Sequence, residues 1–571
     1  MEKDKRHLWE VLRGEAPADL VIKNVKRVHP VAMEIREGAL AIADGRIVGW
    51  TDMPARQVLD GKGAYLTPGL IDSHIHVESS MLSPAAFAEA VIPHGTTAVV
   101  ADPHEVGNVA GLEGLRWMMH QGAETSFHFF WAAPSCVPAS PLDTPGAVLG
   151  VDEIEILLDM ENVVALGEVM NYPGVIHGDP EIHAKIAAAK SRGLAVDGHA
   201  PGLTGRDLFA YTAAGIETDH ECTTLTEAEE KLRLGMRIQM RQGSAEHNLE
   251  TLLPLVTPQW QDRLLFATDD RNPVDLSEIG HLNEHLRISV ARGINPALAV
   301  RIATANPARH YRLAGMGTLS PGSRADVVLF RDLTSFNAQA VVIKGKIVYH
   351  DGKFVTPIKH GKPAFPSSMH VKELSADALK VRREGDVVKV IRVIPKQVVT
   401  EKSYYHPPDA PIVDANPKED ILKIAVFERH HGTGNVGVGF VAGLGFKKGA
   451  VATTVAHDSH HLLVAGTNDA DMLLAARTSA DMKGGISVVR DGEVLATLPL
   501  PLFGLMSDLP LGDLTGRFKE VHAAANALGG PLDDPLMQMS FLALPVIPSL
   551  KITDCGLVDV DKFQRVPLFG E

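Results

Sequence analysis

The stretch Leu70-Ile-Asp-Ser-His-Ile-His76 joins an apolar run to two histidines in alternate positions. Side chains at positions i and i+2 of a β-strand point to the same side, so His74 and His76 converge where the strand ends. The active sites of parallel barrels lie at the carboxyl ends of their strands. The stretch therefore predicts the first strand of such a barrel and the beginning of a metal site.

Seven further apolar runs end in polar residues at a recurring interval. They span residues 98–102, 127–131, 163–168, 194–199, 216–220, 236–240 and 264–269. Helix-compatible stretches such as 179–192 and 226–234 separate most of them, so the repeating unit is a strand followed by a helix. Eight such units predict an α/β fold with a TIM-like (β/α)8 barrel. A doubly wound sheet is the alternative.

Short β-type segments flank the repeating region. Residues 18–66 contain strand patterns with an Asp44-Gly45 hairpin turn, and residues 322–352 repeat the same pattern. We therefore predict a composite small β-sandwich domain into which the barrel is inserted, followed by an extra C-terminal α+β domain. The expected bounds are 1–67 and 311–366 for the two parts of the β domain, 68–310 for the barrel and 367–571 for the C-terminal domain.

Composition restricts the class of partner. The chain has 571 residues, of which 45% are hydrophobic and 22% charged, and its formal net charge is −15. These values predict several folded domains and exclude disorder for most of the length. The acidic balance, with no basic block, argues against a nucleic acid or an anionic membrane as the main partner. We expect a small-molecule substrate.

The cysteines and the N-terminal residues indicate the compartment. Cys136, Cys222 and Cys555 are too far apart for a CxxC pair, and an odd number fits a disulfide framework poorly. Residues 1–7 are charged and lead into no apolar signal segment, and no window reaches the roughly 18 apolar residues needed to span a bilayer. We expect a cytoplasmic protein.

Further ligand-type residues end other strands of the predicted barrel. Packing alone does not explain them, because buried positions favour apolar side chains. Histidine and carboxylate ligands in this number suit two divalent cations bridged by a carboxylate, with Mn, Fe or Zn as the metal. The six expected ligands are His74, His76, Glu168, His199, His220 and Asp269.

Longer motifs around these residues carry a family resemblance. Pro68-Gly-Leu-Ile-Asp-Ser-His-Ile-His76 and the later Gly322-Ser-Arg-Ala-Asp-Val-Val-Leu329 resemble the amidohydrolase superfamily. Within it, Asp102-Pro-His-Glu105, Gly198-His-Ala-Pro-Gly202 and Ala456-His-Asp-Ser-His-His461 are similar to the bacterial adenine deaminase family. The similarity extends through the C-terminal domain, although His461 stands where we expect asparagine.

The resemblance implies hydrolysis of adenine to hypoxanthine and ammonia, a reaction of purine salvage. A water or hydroxide bridging two metals would attack C6 of the purine, and Asp269 would carry its proton towards the leaving amine. Asp102 and Glu221 are further catalytic candidates. The candidates for binding the purine ring are His104, Glu105, Glu78, His457 and His460. For these second-tier residues, a surface or hydrogen-bonding role is the alternative.

Other interpretations are weaker but remain open. Another amidohydrolase activity, on a different aminopurine or a cyclic amide, is the alternative function, although Glu168 stands where dihydroorotases and hydantoinases carry a carboxylated lysine. His76-Val-Glu78 mimics cytidine-type deaminases without their Pro-Cys-x-x-Cys partner. Gly432–Gly437 matches a dinucleotide fingerprint, but β-type residues follow it, so we expect a turn. A metal-free scaffold is the non-enzyme alternative. We expect a homodimer or higher homo-oligomer.

Overall fold

The structure is a computed structural model that describes residues 6–358, 365–395 and 397–570. Residues 1–5, which supply most of the charged N-terminal stretch, lie outside the described residues. None of the helices in the described ranges combines the length and hydrophobicity needed to cross a membrane. The three cysteines are free thiols.

A short helix and five strands precede the barrel strands. They are α1 (Arg6–Leu12), β1 (Ala18–His29), β2 (Glu34–Ala43), β3 (Arg46–Gly49), β4 (Ala55–Asp60) and β5 (Tyr65–Pro68). Strands β2 and β3 form an antiparallel hairpin in which Ala43 pairs with Arg46. Its two turn residues, Asp44 and Gly45, have φ of 48° and 67°. Two successive positive φ angles are typical of the tight hairpin turn that the Asp-Gly pair predicts.

Strands and helices alternate over the next 240 or so residues, as a (β/α) repeat requires. The strands are β6 (Leu70–His76), β7 (Thr96–Ala101), β8 (His128–Ala133), β9 (Val163–Val169), β10 (Ala195–Gly198), β11 (Thr218–Asp219), β12 (Arg237–Arg241), β13 (Leu264–Ala267) and β14 (Asp269–Asp270). The helices are α2 (Pro84–Val91), α3 (His104–Ala123), α4 (Val151–Leu158), α5 (Tyr172–His177), α6 (Pro180–Ser191), α7 (Gly205–Ala214), α8 (Leu225–Arg233), α9 (Leu249–Leu252), α10 (Pro273–Glu278), α11 (Leu282–Ala291), α12 (Pro296–Ile302) and α13 (Ala305–His310).

Local sequence explains where these elements begin. Helix α6 starts where the Asp179 side chain accepts hydrogen bonds from the backbone N–H groups of Glu181 and Ile182, with Pro180 in the first turn. An Asp N-cap followed by Pro is a strong helix start. Strands β6, β7 and β8 are buried over their whole length, which is typical of strands covered on both faces.

The parallel strands form a curled sheet in two hydrogen-bonded parts. Their orders are β10-β9-β8-β7-β6-β14 and β11-β12-β13. The two parts meet at both of their edges. At one edge, Thr268 alone separates β13 from β14. At the other, between β10 and β11, the N–H of Glu217 donates to the carbonyl of Val196 (2.8 Å). All eight predicted runs contain strand, although the sixth is short and the eighth is interrupted at Thr268. Because the strands are parallel, their carboxyl ends meet at one end of the sheet.

Four strands after the barrel region return to the first sheet. They are β15 (Val327–Phe330), β16 (Ala338–Ile343), β17 (Lys346–His350) and β18 (Lys353–Phe354). Strand β15 pairs antiparallel with β5, and the sheet runs β18-β17-β16-β15-β5-β1-β2-β3 with β4 beside β1. Leu20, Ile42 and Leu66 pack with Val327 and Val342 in one hydrophobic core. Strands from before and after the barrel region therefore share both a sheet and a core.

The remaining elements form mainly an eight-stranded sheet, in the order β21-β20-β24-β23-β26-β25-β27-β28, with packed helices. They are β19 (Val381–Arg382), β20 (Val388–Val393), β21 (Thr400–Tyr405), β22 (Ile412–Val413), β23 (Leu422–Phe427), β24 (Val436–Ala442), β25 (Ala450–Thr453), β26 (Leu462–Gly466), α14 (Asp469–Asp481), β27 (Gly485–Arg490), β28 (Glu493–Pro499), α15 (Leu511–Asn526), α16 (Pro535–Ser540), β29 (Leu550–Thr553), β30 (Gly556–Asp559) and β31 (Gln564–Arg565). The glycine-rich segment 432–437 leads into strand β24 and not into a helix, so the dinucleotide interpretation is excluded.

This C-terminal region packs directly on the barrel strands' carboxyl end. Thr144, in the loop after β8, donates from its hydroxyl to Asp554 Oδ2 (2.6 Å) and from its N–H to Asp554 Oδ1 (3.0 Å). The N–H of Ser507 donates to the carbonyl of Met81 (2.8 Å). These contacts attach the C-terminal region to the end of the barrel at which the ligand-type residues lie.

Candidate active site

His74 and His76 end strand β6 as buried neighbours that face one carboxylate. Their Nε2 atoms lie 3.5 and 3.1 Å from Asp269 Oδ1. Nδ1 of His76 lies 2.9 Å from the carbonyl oxygen of Asp102. Because a carbonyl oxygen only accepts, Nδ1 carries a proton, and Nε2 is the ring nitrogen of His76 that faces the carboxylate.

Glu168, at the end of β9, has a different set of neighbours at each oxygen. Oε1 lies 3.4 Å from His76 Nε2. Oε2 lies 2.7 Å from His199 Nδ1 and 3.1 Å from His220 Nε2. The carboxylate thus joins His76 on the first strand to the two histidines that follow the fifth and sixth strands.

This arrangement has the chemistry of a cation site. His74 Nε2 is buried and has no hydrogen-bond partner. The ligand-type atoms of His74, His76 and Asp269 lie within 4.8 Å of one another, as do those of His74, Glu168 and His220. Converging imidazole and carboxylate lone pairs are what divalent Mn, Fe or Zn prefers, so the residues present fit such ions.

Arg241 is the site residue that sequence reasoning missed. It ends strand β12 and is 5% exposed. Its guanidinium donates to Asp269 Oδ2 (2.7 Å) and makes a two-nitrogen hydrogen-bonded pair with Glu221. Burial alone would raise the pKa of Asp269, but the Arg241 charge together with the contacts to His74, His76 and His220 holds that pKa well below its usual value. The only sequence signal is an arginine at the carboxyl end of a barrel strand.

Glu221 is held by the same guanidinium. Burial would raise its pKa, but Arg241 and His199 lower it far below the ordinary value of a glutamate. Glu221 Oε1 also lies 3.3 Å from His220 Nε2. The structure therefore places Glu221 beside the predicted ligands, as an ionised group.

Asp102 and His104 lie on the other side of Glu168. Asp102 Oδ2 accepts a hydrogen bond from the N–H of Glu168 (2.9 Å), which fixes the end of strand β9. Nδ1 of His104 lies 3.3 Å from Glu168 Oε1. Both side chains are almost fully buried.

Glu105 connects the barrel to the C-terminal segment. His457 Nδ1 lies 2.6 Å from Glu105 Oε1, and His460 Nε2 is hydrogen-bonded to the other oxygen. Burial lowers the pKa of His457, but the Glu105 charge raises it to about 9 overall. Burial lowers the pKa of His460 to about 4. At neutral pH, the pair therefore consists of a charged His457 and a neutral His460 on one carboxylate.

Two further carboxyl groups keep a buried oxygen without a partner. Oε1 of Glu78 accepts from the N–H of Val106 (3.1 Å), whereas its Oε2 has no hydrogen-bond partner. Burial raises the pKa of Glu78 to about 7. Asp458 Oδ2 is also unpartnered, and burial raises the pKa of Asp458 to about 6. Such atoms are the ones that a polar ligand would satisfy.

His461, which replaces the expected asparagine, has neighbours within the C-terminal region. Its Nε2 lies 3.4 Å from Asp554 Oδ1, and its ring packs on His430 with centroids 4.8 Å apart. Asp554 is also the residue that accepts two hydrogen bonds from Thr144. The substitution thus falls in the contact between the C-terminal region and the loop after β8.

Comparison with known protein families agrees with this geometry. Residues 65–348 match the amidohydrolase family, and residues 397–564 match the adenine deaminase C-terminal domain. The curled parallel sheet and its histidine–carboxylate site are thus those of a metal-dependent hydrolase of the amidohydrolase class.

Individual relatives define the family more narrowly. An adenine deaminase of Desulfatibacillum aliphaticivorans is 46% identical over 565 residues, or 98% of each chain. Adenine deaminase 2 of Carboxydothermus hydrogenoformans is 43% identical over 99% of this chain and 100% of its own. A β-aspartyl dipeptidase structure from Fervidobacterium islandicum AW-1 covers 60% of this chain and 98% of its own, at 18% identity and a TM-score of 0.45. The chain belongs to the adenine deaminase family, which confirms the resemblance found in the sequence.

Proposed function

We propose that this protein hydrolyses free adenine to hypoxanthine and ammonia, as its relatives' name implies. The observation that supports it best is the buried Glu168, whose Oε1 faces His76 and whose Oε2 faces His199 and His220. That geometry suits a pair of divalent cations, Mn, Fe or Zn, bridged by one carboxylate.

The proposed ligand set divides into two halves. His74, His76 and Asp269 would hold one cation with Glu168 Oε1, and His199 and His220 would hold the other with Glu168 Oε2. Bound there, the cations would supply a water of lowered pKa as the nucleophile for C6 of the purine.

Asp269 is the proposed proton carrier. Its Oδ2 is taken by Arg241 and its Oδ1 faces the histidines of strand β6. The ionised carboxylate would accept the proton of the attacking water and deliver it to the amino group as ammonia leaves. Arg241 fixes which oxygen is available for that transfer. Asp102 and Glu221, on opposite sides of the centre, are the remaining catalytic candidates.

The purine ring would be held by residues that follow strand β7 and by histidines of the C-terminal segment 456–461. Glu105 with His457 and His460 forms a charged buried set, and the free oxygen of Glu78 can accept or donate at a ring nitrogen because its pKa lies near 7. His104 lies between this set and Glu168. The C-terminal region would therefore complete the substrate site.

The proposal includes an organisation of the whole chain. We propose a composite β domain (1–67 and 311–366), a (β/α)8 barrel (68–310) and a C-terminal α+β domain (367–571), which is supported by the sheet that β1–β5 share with β15–β18. Free buried thiols at Cys136 and Cys222 support a reducing, cytoplasmic location. A homodimer or higher homo-oligomer belongs to the same proposal.

The test is a comparison of substrates with metal-loaded protein. We expect the absorbance of free adenine to change to that of hypoxanthine, and adenosine to be largely unchanged, because the chain's relatives are named as deaminases of adenine. Rapid turnover of adenosine, or of a cyclic amide while adenine is inert, would refute the proposal.

A further inference from the structure

Two buried side chains outside the ligand set connect the backbones of strands four, five and six. Strand β9 contains Glu168, and strands β10 and β11 end immediately before His199 and His220, respectively. The connecting residues are Tyr211 on helix α7 and Lys231 on helix α8, and both side chains are 0% exposed. We call them, with Asp219 and Glu227, the α7–α8 clasp.

Tyr211 joins the fourth strand to the fifth. Its hydroxyl donates to the carbonyl of Val169 (2.8 Å), the residue after Glu168. The same hydroxyl accepts from the N–H of His199 (3.0 Å). One phenol oxygen thus fixes the backbone at two of the proposed ligands.

Lys231 joins the fifth strand to the sixth. Its ammonium donates to the Ala200 carbonyl (2.7 Å), Asp219 Oδ2 (2.8 Å) and Glu227 Oε1 (2.7 Å), which uses all three of its protons. Asp219 Oδ1 accepts from the N–H of Ala200 (2.9 Å). The carbonyl of Ala200, the residue after His199, is therefore bound by Lys231, and its N–H is bound by Asp219, the residue before His220.

This bracing matters most for His199. Its side chain is 25% exposed, whereas those of the other five proposed ligands are between 1% and 6% exposed. Packing therefore restrains His199 least, and its position depends on the backbone hydrogen bonds of residues 199 and 200. A fully buried lysine with two carboxylates is costly to desolvate, so a purely structural contact at this position would be served as well by apolar packing.

We propose that Tyr211 and Lys231 are positioning residues that set the spacing of His199 and His220 and so the affinity for the cation these histidines share with Glu168. The inference rests on the proposed cation centre. It predicts that loss of the clasp weakens one of two cation-binding steps and leaves the step at His74, His76 and Asp269 nearly unchanged.

The decisive variant is Tyr211→Phe, which removes only the hydroxyl. Its matched control is Tyr405→Phe, a buried tyrosine of strand β21 whose hydroxyl accepts from Asn416 (3.1 Å) in the C-terminal region. Metal-stripped protein is titrated with Mn²⁺, and bound ion is followed by elemental analysis and by electron paramagnetic resonance, which separates a coupled Mn pair from a single ion. We expect Tyr211→Phe to weaken one binding step by about 10- to 100-fold, as loss of hydrogen-bonded support of ligands typically does, and Tyr405→Phe to match the wild type.

A second variant, Lys231→Met, tests the charged part of the clasp. Its control is Lys423→Met, a buried lysine paired with Asp469 (2.6 Å) away from the barrel. Because Lys231→Met leaves the carboxylates of Asp219 and Glu227 without their ion-pair partner, the double variant Lys231→Met/Asp219→Asn is prepared with it. Folded clasp variants that bind two Mn²⁺ with wild-type affinities would overturn this inference alone. A wild type that binds fewer than two Mn²⁺ would overturn the proposed centre, and the inference with it.

Discussion

Asp269 has a different partner at each carboxylate oxygen, and this division determines what the residue can do. Oδ2 receives the buried Arg241 guanidinium, and Oδ1 faces His74 and His76. Oδ1 is thus the oxygen that faces the histidines of the proposed cation centre. In the proposed mechanism, Asp269 is therefore both an anionic ligand and the proton acceptor.

Replacing Asp269 tests that double role. Asp269→Asn should lower kcat by about a thousandfold, since general acid–base transfer is worth about 10²–10⁴ and the cation also loses an anionic ligand. The KM for adenine should change less, because other residues hold the ring. Steady-state kinetics measure both quantities.

The matched control is Asp332→Asn, in a turn where Asp332 accepts hydrogen bonds from Thr334 and Ser335 far along the chain from the site. It should keep wild-type kinetics. A near-normal kcat for Asp269→Asn with metals bound would move the proton carrier to Asp102, Glu78 or Glu221.

Arg241 offers a second residue-level prediction. Arg241→Met should reduce kcat/KM by roughly 10- to 100-fold, because hydrogen bonds to charged groups contribute about 1.5–3 kcal/mol and both Asp269 and Glu221 lose theirs. Arg241→Lys should recover only part of the rate, since an ammonium cannot reproduce the paired contact with Glu221. If Arg241→Met is folded and fully active, the guanidinium does not fix Asp269.

The position of Arg241 also shows what the sequence could not predict. The six ligand-type residues were identifiable because each lies at a strand end, which is a local pattern. Arg241 lies at a strand end too, but its two carboxylate partners are 20 and 28 residues away. Strand β12 lies between β11 and β13 in the sheet, so pairing of neighbouring strands brings the three side chains together, and no periodicity in the sequence encodes that contact.

At the level of elements, the segment 456–461 brings histidines of the C-terminal region next to the candidate site of the barrel. It lies between β25 and β26 of the C-terminal sheet and inserts His457 and His460 against Glu105 at the start of α3. The expectation that these histidines reach the barrel came from the family resemblance. Glu105 was also predicted as a site residue, but its pairing with His457 and His460 was not predicted.

Truncating one histidine of this segment tests its role. His460→Ala should raise the KM for adenine moderately, by about tenfold if one hydrogen bond to a charged group near the substrate is lost, with kcat less affected. His461→Ala is the neighbouring control, since His461 faces Asp554 and not Glu105. An unchanged KM for His460→Ala would make the segment a structural contact.

The charge on His457 gives the same segment a pH dependence. In the folded protein its pKa is about 9, above the ordinary value of about 6.5, so the protonated form stabilises the fold. This contribution is complete below pH 6.5 and is lost as the pH rises through about 9.

Thermal unfolding of the wild type and of His457→Gln measures the effect. The difference between their Tm values should be largest near pH 6 and shrink as the pH approaches 9 and above. A difference that is constant over this range would show that His457 stabilises through packing on Phe541, with which its ring is stacked at 4.8 Å, rather than through its charge.

At the level of the whole molecule, the site is assembled from regions far apart in the chain. The barrel strands supply the ligand-type residues, and the C-terminal region contacts the same end of the sheet through hydrogen bonds such as that from Thr144 to Asp554. The strand and helix pattern predicted the curled sheet, the flanking strands and the extra region. It could not predict how the extra region docks, because that depends on surfaces formed only after each part has folded.

Cation binding should couple to the stability of this assembly. Removal of divalent ions with a chelator should lower Tm by several degrees, because a ligand that binds only the folded state stabilises it by mass action. Reloading with Mn²⁺ should restore the original Tm. An identical Tm for stripped and loaded protein, with metal content verified, would contradict a buried binding site of useful affinity.

The most direct test of the account is the rate of ammonia release from adenine, measured while metal-stripped protein is titrated with Mn²⁺. We predict that the rate rises to a plateau at two equivalents of Mn²⁺ per chain, that hypoxanthine forms in equal amount to ammonia, and that dihydroorotate under the same conditions yields no product. No ammonia from adenine at any metal content, or full activity at one equivalent, would contradict a bridged two-cation adenine deaminase.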